Sequence, residues 1–321
     1  MKSGSKTAAR VDDLWSILDK TVAVSEEESS DTTILFVGDS QSGKTSIIQG
    51  FLKPTAAKDP KPTFALDYNF ARRKNPNNPS APKSVSHLWE LGGDISEPSL
   101  LDVPISLREM LSTSVVICCD LSKTQNIFAS THRWIKLIRD VVARKLKQAQ
   151  NGNSALISTL KENAAKPYVD HIDRSRVKPC ELPLYIVCTK YDQFKNLGFP
   201  DRRVIIQSLR FLAHYYGATL MCTSSLESGL REAVRNLVSS ISFRTSLRQA
   251  QEVALEKPLY VSVGKDTFES ILSVVKGADA SESSAISGAA PKVSHFSLVV
   301  PRRIKKDGIT HPRHCPHPHY K

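Results

Sequence analysis

Residues 34–45 read Ile-Leu-Phe-Val-Gly-Asp-Ser-Gln-Ser-Gly-Lys-Thr, and this stretch decides the fold. Its apolar beginning, residues 34–37, is short and rich in β-formers, which predicts a buried strand. Residues 38–45 match the pattern GxxxxGK[ST] without a mismatch, and the pattern that follows predicts a helix from Lys44 to about Leu52. A buried strand, this loop and a helix in that order predict a phosphate-binding loop, called the P-loop below.

The chemistry of phosphate binding explains the residue types in the P-loop. Gly38 and Gly43 permit backbone angles that aim successive N–H groups inward, and these groups form an anion cradle with the helix N-terminus. Lys44 is predicted to reach the β- and γ-phosphates, and the Thr45 hydroxyl to ligate Mg²⁺. The candidate nucleotide-binding residues of this loop are Gly38, Asp39, Ser40, Gln41, Ser42, Gly43, Lys44 and Thr45.

Two later motifs fit a guanine site. The run 189–192, Thr-Lys-Tyr-Asp, follows a predicted strand and matches the [NT]KxD pattern that small GTPases use to recognise guanine. Asp192 would accept hydrogen bonds from guanine N1 and N2, and the Lys190 stem would pack on the base. Ser224 lies in a Thr-Ser-Ser run after the next strand, as in the loop that contacts guanine through backbone N–H groups. The residues Thr189, Lys190, Asp192 and Ser224 are therefore candidate base contacts, with GDP or GTP and Mg²⁺ as the expected cofactors; a strand end with surface charges is the alternative.

The elements that would hydrolyse GTP depart from the pattern of a switch GTPase. Such proteins carry DxxGQ, in which the Asp holds Mg²⁺ and the Gln orients the attacking water. Here Glu90 stands at the Asp position, and no Gln follows Gly93. Thr63 is the candidate for the threonine that senses the γ-phosphate. We therefore name Thr45, Thr63 and Glu90 as candidate Mg²⁺ ligands, name no catalytic residue, and expect hydrolysis to be vestigial.

The order of predicted elements indicates an α/β fold. Strands alternate with helices, which predicts a mostly parallel sheet covered on both faces. Residues 63–70 and 85–91 are predicted to form an antiparallel hairpin pair. The expected fold class is a Ras-like P-loop domain. The predicted division is an N-terminal extension with a short helix (1–30), the Ras-like domain (31–250) with a surface insertion (151–180), a C-terminal extension (251–276) and a disordered basic tail (277–321).

Composition excludes several classes of protein. The 321 residues carry a formal net charge of +12, yet aromatic residues do not interleave with the basic clusters as a nucleic-acid platform requires. Apolar runs are much shorter than the ~20 residues of a transmembrane helix, and the beginning of the chain lacks the apolar core of a secretory signal. We expect neither nucleic-acid binding nor membrane insertion.

Stretches outside the nucleotide motifs resemble one family. KPTFALDYNFARR (61–73), SHLWELGG (86–93) and RFLAHYYGATLMCTSS (210–225) are similar to the light intermediate chains of cytoplasmic dynein, and among them to the dynein-2 (ciliary) type. The resemblance covers about residues 10–270. It implies a non-motor subunit that binds and stabilises the dynein-2 heavy chain, joins the other dynein-2 subunits and serves intraflagellar transport trains indirectly. It also implies a location in the cytoplasm and cytoskeleton, and in the cilium, axoneme and basal body.

Two other functions stay open at this stage. A free-standing small GTPase switch agrees with the P-loop and the Thr-Lys-Tyr-Asp run, but Glu90 and the absent Gln argue against it. A P-loop kinase or ATPase would prefer adenine, which the carboxylate of Asp192 does not favour.

Overall fold

The computed structural model describes residues 31–53, 60–74, 83–93, 98–149, 153–247 and 249–273. Within them, eight strands form one sheet in the order β2-β3-β1-β4-β5-β6-β8-β7. The strands are β1 (Thr32–Val37), β2 (Leu66–Arg73), β3 (Ser84–Leu91), β4 (Thr113–Asp120), β5 (Leu184–Thr189), β6 (Ala218–Cys222), β7 (Gln251–Glu252) and β8 (Tyr260–Val261). The helices are α1 (Lys44–Leu52), α2 (Ile127–Ala149), α3 (Ser154–Ala165), α4 (Tyr191–Phe194), α5 (Phe199–Tyr216), α6 (Ser228–Ser242) and α7 (Phe268–Ser273).

The sheet confirms the predicted fold class. Strands β3, β1, β4, β5 and β6 are parallel, and β2 runs antiparallel to β3 with Tyr68 opposite Trp89. The central strands are buried on both faces; all six side chains of β1 and of β5 are buried. One apolar core lies under α2 and α5, and a second lies under α1 and α6. Parallel strands covered on both faces bring their carboxyl ends to one edge, where the P-loop lies.

Some predicted boundaries were wrong. The first hairpin strand was expected at residues 63–70, but β2 begins at Leu66 and ends at Arg73, so Thr63 precedes the strand. Residues near Thr63 contact the loop after β3 instead, since Gly92 N donates to Ala65 O at 2.6 Å. The short strands β7 and β8 were not predicted individually, because two-residue strands leave no periodic pattern in the sequence.

The predicted surface insertion, residues 151–180, also contributes to the interior. Leu160, Tyr168 and Val177 are buried in the core under α5. Cys180, at the end of this stretch, is also buried. The predicted N-terminal helix and the predicted disordered tail lie outside the described residues. The domain boundaries themselves stay predictions.

A buried polar network ties residues 166–177 and 262–273 to α5. Arg210 donates two hydrogen bonds to Asp266, at 2.8 and 2.7 Å, and both side chains are 3% exposed. Asp173 accepts from His214 Nε2 at 3.0 Å and from the backbone N of Phe268 at 2.9 Å. Burial lowers the pKa of His214, and the neighbouring Asp173 only partly offsets this. The network holds these two segments against α5, and none of its residues belongs to the P-loop.

None of the described helices combines the length and the apolar character needed to cross a bilayer.

Candidate nucleotide-binding site

A cavity of about 550 Å³ opens at the carboxyl ends of the parallel strands. Its size falls within the usual range of ligand pockets, about 300–1,000 Å³. Most of the residues predicted from the sequence line it: Ser40, Gln41, Ser42, Gly43, Lys44, Thr45, Thr63, Glu90, Thr189, Lys190 and Ser224. Gly38, Asp39 and Asp192 do not line it. The motifs that lie far apart in sequence therefore converge on one cavity.

The P-loop backbone has the sharp geometry that its glycines predict. Gly38 has a φ of 144°, and a Cβ there would lie 2.2 Å from the carbonyl oxygen of Cys118, so glycine is required. Gln41 adopts a left-handed φ of 62°, an uncommon value for a residue with a side chain. Lys44 is 5% exposed, and its ammonium donates to the carbonyl oxygens of Gly38 and Asp39 at 2.9 and 3.0 Å. The lysine therefore already lies over the loop that would hold phosphate.

The Asp39 side chain points away from the cavity and toward α2. Its carboxylate accepts hydrogen bonds from Ser130, Arg133 and Trp134 of α2, at 2.5, 2.8 and 2.8 Å. Burial raises the pKa of Asp39, but the hydrogen bonds from Ser130 and Trp134 and the Arg133 charge outweigh it, so the net pKa lies below its ordinary value. Asp39 is a tie between the P-loop and α2.

This tie predicts a pH-dependent stability difference. Asp39→Asn should lower the free energy of unfolding at pH 7 by roughly 0.5–1 kcal/mol, a small value because the carboxylate is 38% exposed and solvent screens its interactions. A carboxyl whose pKa is depressed by folding stabilises above its unfolded pKa and loses that effect as the pH falls through the folded pKa. The difference in the free energy of unfolding between the wild type and Asp39→Asn should therefore narrow below about pH 3.9. Urea denaturation at pH 7 and pH 3.5 measures it, with the exposed Asp140→Asn as control; a gap independent of pH would contradict the assignment.

The candidate Mg²⁺ ligands meet at the cavity wall. Thr45 Oγ1 donates to Glu90 Oε1 at 2.6 Å, and Glu90 is 2% exposed. Burial raises the pKa of Glu90, against smaller lowering effects of the Thr45 hydrogen bond, the Lys44 charge and the Thr63 hydroxyl. Within the described part of the chain, Glu90 Oε2 is buried without a hydrogen-bond partner. A buried carboxylate oxygen beside two hydroxyls is a donor set that fits a hard cation such as Mg²⁺.

Gly93 closes the site beside the P-loop. A Cβ on Gly93 would lie 2.0 Å from the backbone nitrogen of Ser40, so the two main chains are in direct contact. In the sequence, the residue after Gly93 is Asp94 rather than Gln. In a switch GTPase, this segment carries the glutamine whose amide positions the attacking water. Here Gly93 contacts the Ser40 backbone directly, and an acidic residue follows it.

The side chains of the guanine-motif residues form hydrogen bonds and an ion pair with neighbouring loops and with one another. Thr189 Oγ1 donates to the carbonyl oxygen of Ser42 at 2.9 Å, so it fastens β5 to the P-loop. Lys190, predicted to pack on the base, has its ammonium 2.5 Å from the carboxylate of Asp120. Asp192 accepts from the hydroxyl of Ser224 at 2.5 Å, which links the two base motifs.

Several residues at or beside the cavity were not predicted. Asp120 does not line the cavity but pairs with Lys190, which does. It ends β4, and a polar residue at the end of a buried strand was the available signal. Helix α6 contributes Arg231, Glu232 and Arg235 to the cavity wall, and Arg231 donates to the carbonyl oxygen of Ser225 at 2.8 Å. The α6 periodicity predicts a helix but does not show which of its polar residues meet the P-loop.

Comparison with known proteins identifies relatives of this chain. The family model described as dynein light intermediate chain (DLIC) matches residues 9–181. Cytoplasmic dynein 2 light intermediate chain 1 of Bos taurus is 32% identical over 245 residues, which cover 76% of this chain and 68% of that protein. The chain belongs to the dynein light intermediate chain family.

Other relatives agree with this membership. Within the dynein light intermediate chain family, cytoplasmic dynein 2 light intermediate chain 1 of Homo sapiens is 33% identical over 248 residues, covering 76% of this chain and 68% of that protein. Cytoplasmic dynein 1 light intermediate chain 1 of Dictyostelium discoideum is 26% identical over 125 residues, covering 39% of this chain and 24% of that protein. The solved structure of the conserved domain of a dynein light intermediate chain superimposes with a TM-score of 0.56 at 18% identity, covering 84% of this chain and 96% of that one, which shows the shared fold.

Proposed function

We propose that this protein is a non-catalytic accessory subunit of the cytoplasmic dynein-2 motor, which binds and stabilises the heavy chain for retrograde intraflagellar transport and cilium assembly. The observation that carries the proposal is the similarity to cytoplasmic dynein 2 light intermediate chain 1 over 76% of the chain, together with family membership. The proposed location follows from it: cytoplasm and cytoskeleton, and the cilium with its axoneme and basal body.

We further propose that the cavity holds GDP or GTP with Mg²⁺ as a structural ligand. The P-loop amides and Lys44 would hold the phosphates, and Thr45 with Glu90 would hold the cation, which offsets phosphate charge. The buried and unpaired Glu90 Oε2 supports a cation there. Asp192, held by Ser224, is the group that would favour guanine over adenine.

The subunit proposal is tested by gentle purification of the tagged full chain from ciliated cells, with quantitative mass spectrometry of what remains bound. A dynein-2 heavy chain at about equal abundance is the expected result. Its absence at that abundance, with a regulator or effector in its place, would overturn the subunit proposal. The Lys44→Ala variant, purified in parallel, separates a need for nucleotide from a direct role of the P-loop in assembly.

The free-standing GTPase switch is the second candidate, favoured by the formed P-loop and by Lys44 over it. We expect GTP turnover to be no higher for the wild type than for Lys44→Ala, with or without extract of ciliated cells, because the water-positioning amide is missing and Gly93 contacts Ser40 directly. Phosphate release under single-turnover conditions measures this. Turnover that rises strongly with extract and disappears in Lys44→Ala would favour the switch.

A further inference from the structure

The outer part of the β2–β3 hairpin exposes a group of aromatic side chains, called the aromatic face below. Tyr68 and Phe70 of β2 are 43% and 48% exposed, and their cross-strand partners are Trp89 and His87. Tyr68 packs on Trp89 with ring centroids 4.7 Å apart, and the Tyr68 hydroxyl is 2.8 Å from His87 Nδ1. The rings are thus held in place by one another while much of their surface is open to solvent in the described structure.

One end of the aromatic face is basic. Arg72 lies over the Phe70 ring at 4.8 Å, and Arg72, Lys74 and Lys83 are exposed. This end lies at the amino ends of the parallel strands, whereas the P-loop lies at their carboxyl ends. A segment that covers the aromatic face therefore has to be apolar on one side and acidic where it meets this end.

Residues 1–30 leave the described structure beside that basic end. Asp31 Oδ1 accepts from the backbone N of Val85 at 2.9 Å, and Val85 pairs with Arg72. Because neighbouring strands are about 4.8 Å apart, the start of β1 lies about 10 Å from the end of β2. Alternation along β1 places Asp31 on the same sheet face as Thr33, whose hydroxyl contacts Glu109 on the α2 side, which is the side of the aromatic face.

The sequence of this segment has the required chemistry. Leu14, Trp15 and Leu18 fall on one face at helical spacing, and residues 11–30 contain six acidic residues against one basic residue, Lys20. The 12 residues from 19 to 30 can span up to about 40 Å, more than the aromatic face requires. The family match begins at residue 9, so this segment belongs to the matched domain.

The C-terminal segment fits less well. Residues 274–321 carry eight basic and three acidic residues, which the basic end would repel. They continue from α7, which packs against α5 on the same face as α2 but toward the opposite edge of the sheet from β2. Charge and position therefore both favour the N-terminal segment.

We propose that residues 11–18 form a helix that docks on the aromatic face of the β2–β3 hairpin, with the acidic run 26–28 beside Arg72 and Lys74. Leu14, Trp15 and Leu18 cover Tyr68 and Phe70. The docked segment completes the helical layer of the α2 side over the hairpin, a position that the described helices leave open.

Photo-crosslinking in the full-length protein tests this docking. With p-benzoylphenylalanine in place of Phe70, mass spectrometry should find intramolecular crosslinks to residues 11–18. The same amino acid in place of Ile172, which is 79% exposed, is the matched control and should give no crosslink to them. Trp15→Asp, a change outside the described core, should abolish the Phe70 crosslink.

A charge exchange tests the orientation. Arg72→Glu with Lys74→Glu should lower the crosslink yield about fivefold, since two exposed ion pairs are lost. Adding Glu26→Arg, Glu27→Arg and Glu28→Arg should restore it, whereas Lys161→Glu with Lys166→Glu should leave it unchanged. Crosslinks from position 70 to residues 274–321, to a second copy or to another protein in place of residues 11–18 would overturn the proposal, as would the absence of any crosslink to them.

Discussion

Replacing Arg210 by Met should lower the free energy of unfolding by about 3–5 kcal/mol. The substitution keeps most of the side-chain volume but removes the guanidinium that donates to Asp266 at 2.8 and 2.7 Å. The Asp266 carboxylate is buried, and it would keep only hydrogen bonds from Gln251 and from the backbone N of Thr267 among its described partners. A buried carboxylate that loses its counter-charge is strongly destabilising, because it cannot be solvated.

Chemical denaturation measures this effect, and the chain offers a matched control. Lys257 is paired with Glu252 at 3.2 Å, but its side chain is 66% exposed. Lys257→Met should change the free energy of unfolding by about 0.5 kcal/mol or less. The double variant Arg210→Met with Asp266→Leu should recover part of the loss, since it removes both charges. A loss below about 1 kcal/mol for Arg210→Met would show that the pair contributes no more than a surface ion pair.

The sequence predicted the structure of the P-loop better than the buried polar network around Arg210 and Asp266. Residues 38–45 form a motif whose geometry is set locally, by glycine backbone angles and the start of a helix, so residue order alone indicates its structure. The Arg210–Asp266 pair joins residues 56 positions apart, and no local pattern marks either partner. Buried polar pairs of this kind depend on tertiary packing, which a single sequence does not contain.

Within the site, the side chains of the predicted residues point in different directions. Thr45 and Glu90 were named as ligands of one cation, and the structure brings their oxygens to 2.6 Å. Asp39 belongs to the same loop, yet it faces α2, because Trp134 and Arg133 supply donors there. Lys190 similarly turns to Asp120. The motif fixes the backbone, whereas neighbouring elements decide which way each side chain points.

A guanine nucleotide with Mg²⁺ should stabilise the protein, and this effect should depend on Lys44. At a nucleotide concentration one hundred times the Kd, binding to the folded state alone raises the free energy of unfolding by about 2.7 kcal/mol. Lys44→Met should weaken binding about thirtyfold or more, because phosphate would lose a buried, charge-assisted donor. At the same nucleotide concentration, most of the stabilisation should then disappear.

Thermal unfolding with GDP, GTP and ATP, each with and without Mg²⁺, measures this dependence. The control is Lys53→Met, which removes an exposed lysine just after α1 and should leave the nucleotide effect unchanged. Stabilisation by GDP and GTP but not by ATP would show guanine selection, the role proposed for Asp192, whose carboxylate accepts a hydrogen bond from Ser224 at 2.5 Å. Equal stabilisation by all three would remove that assignment. If no nucleotide stabilised the wild type, the P-loop would be architecture alone, and the raised pKa of Glu90 would reflect only the burial of its carboxyl group.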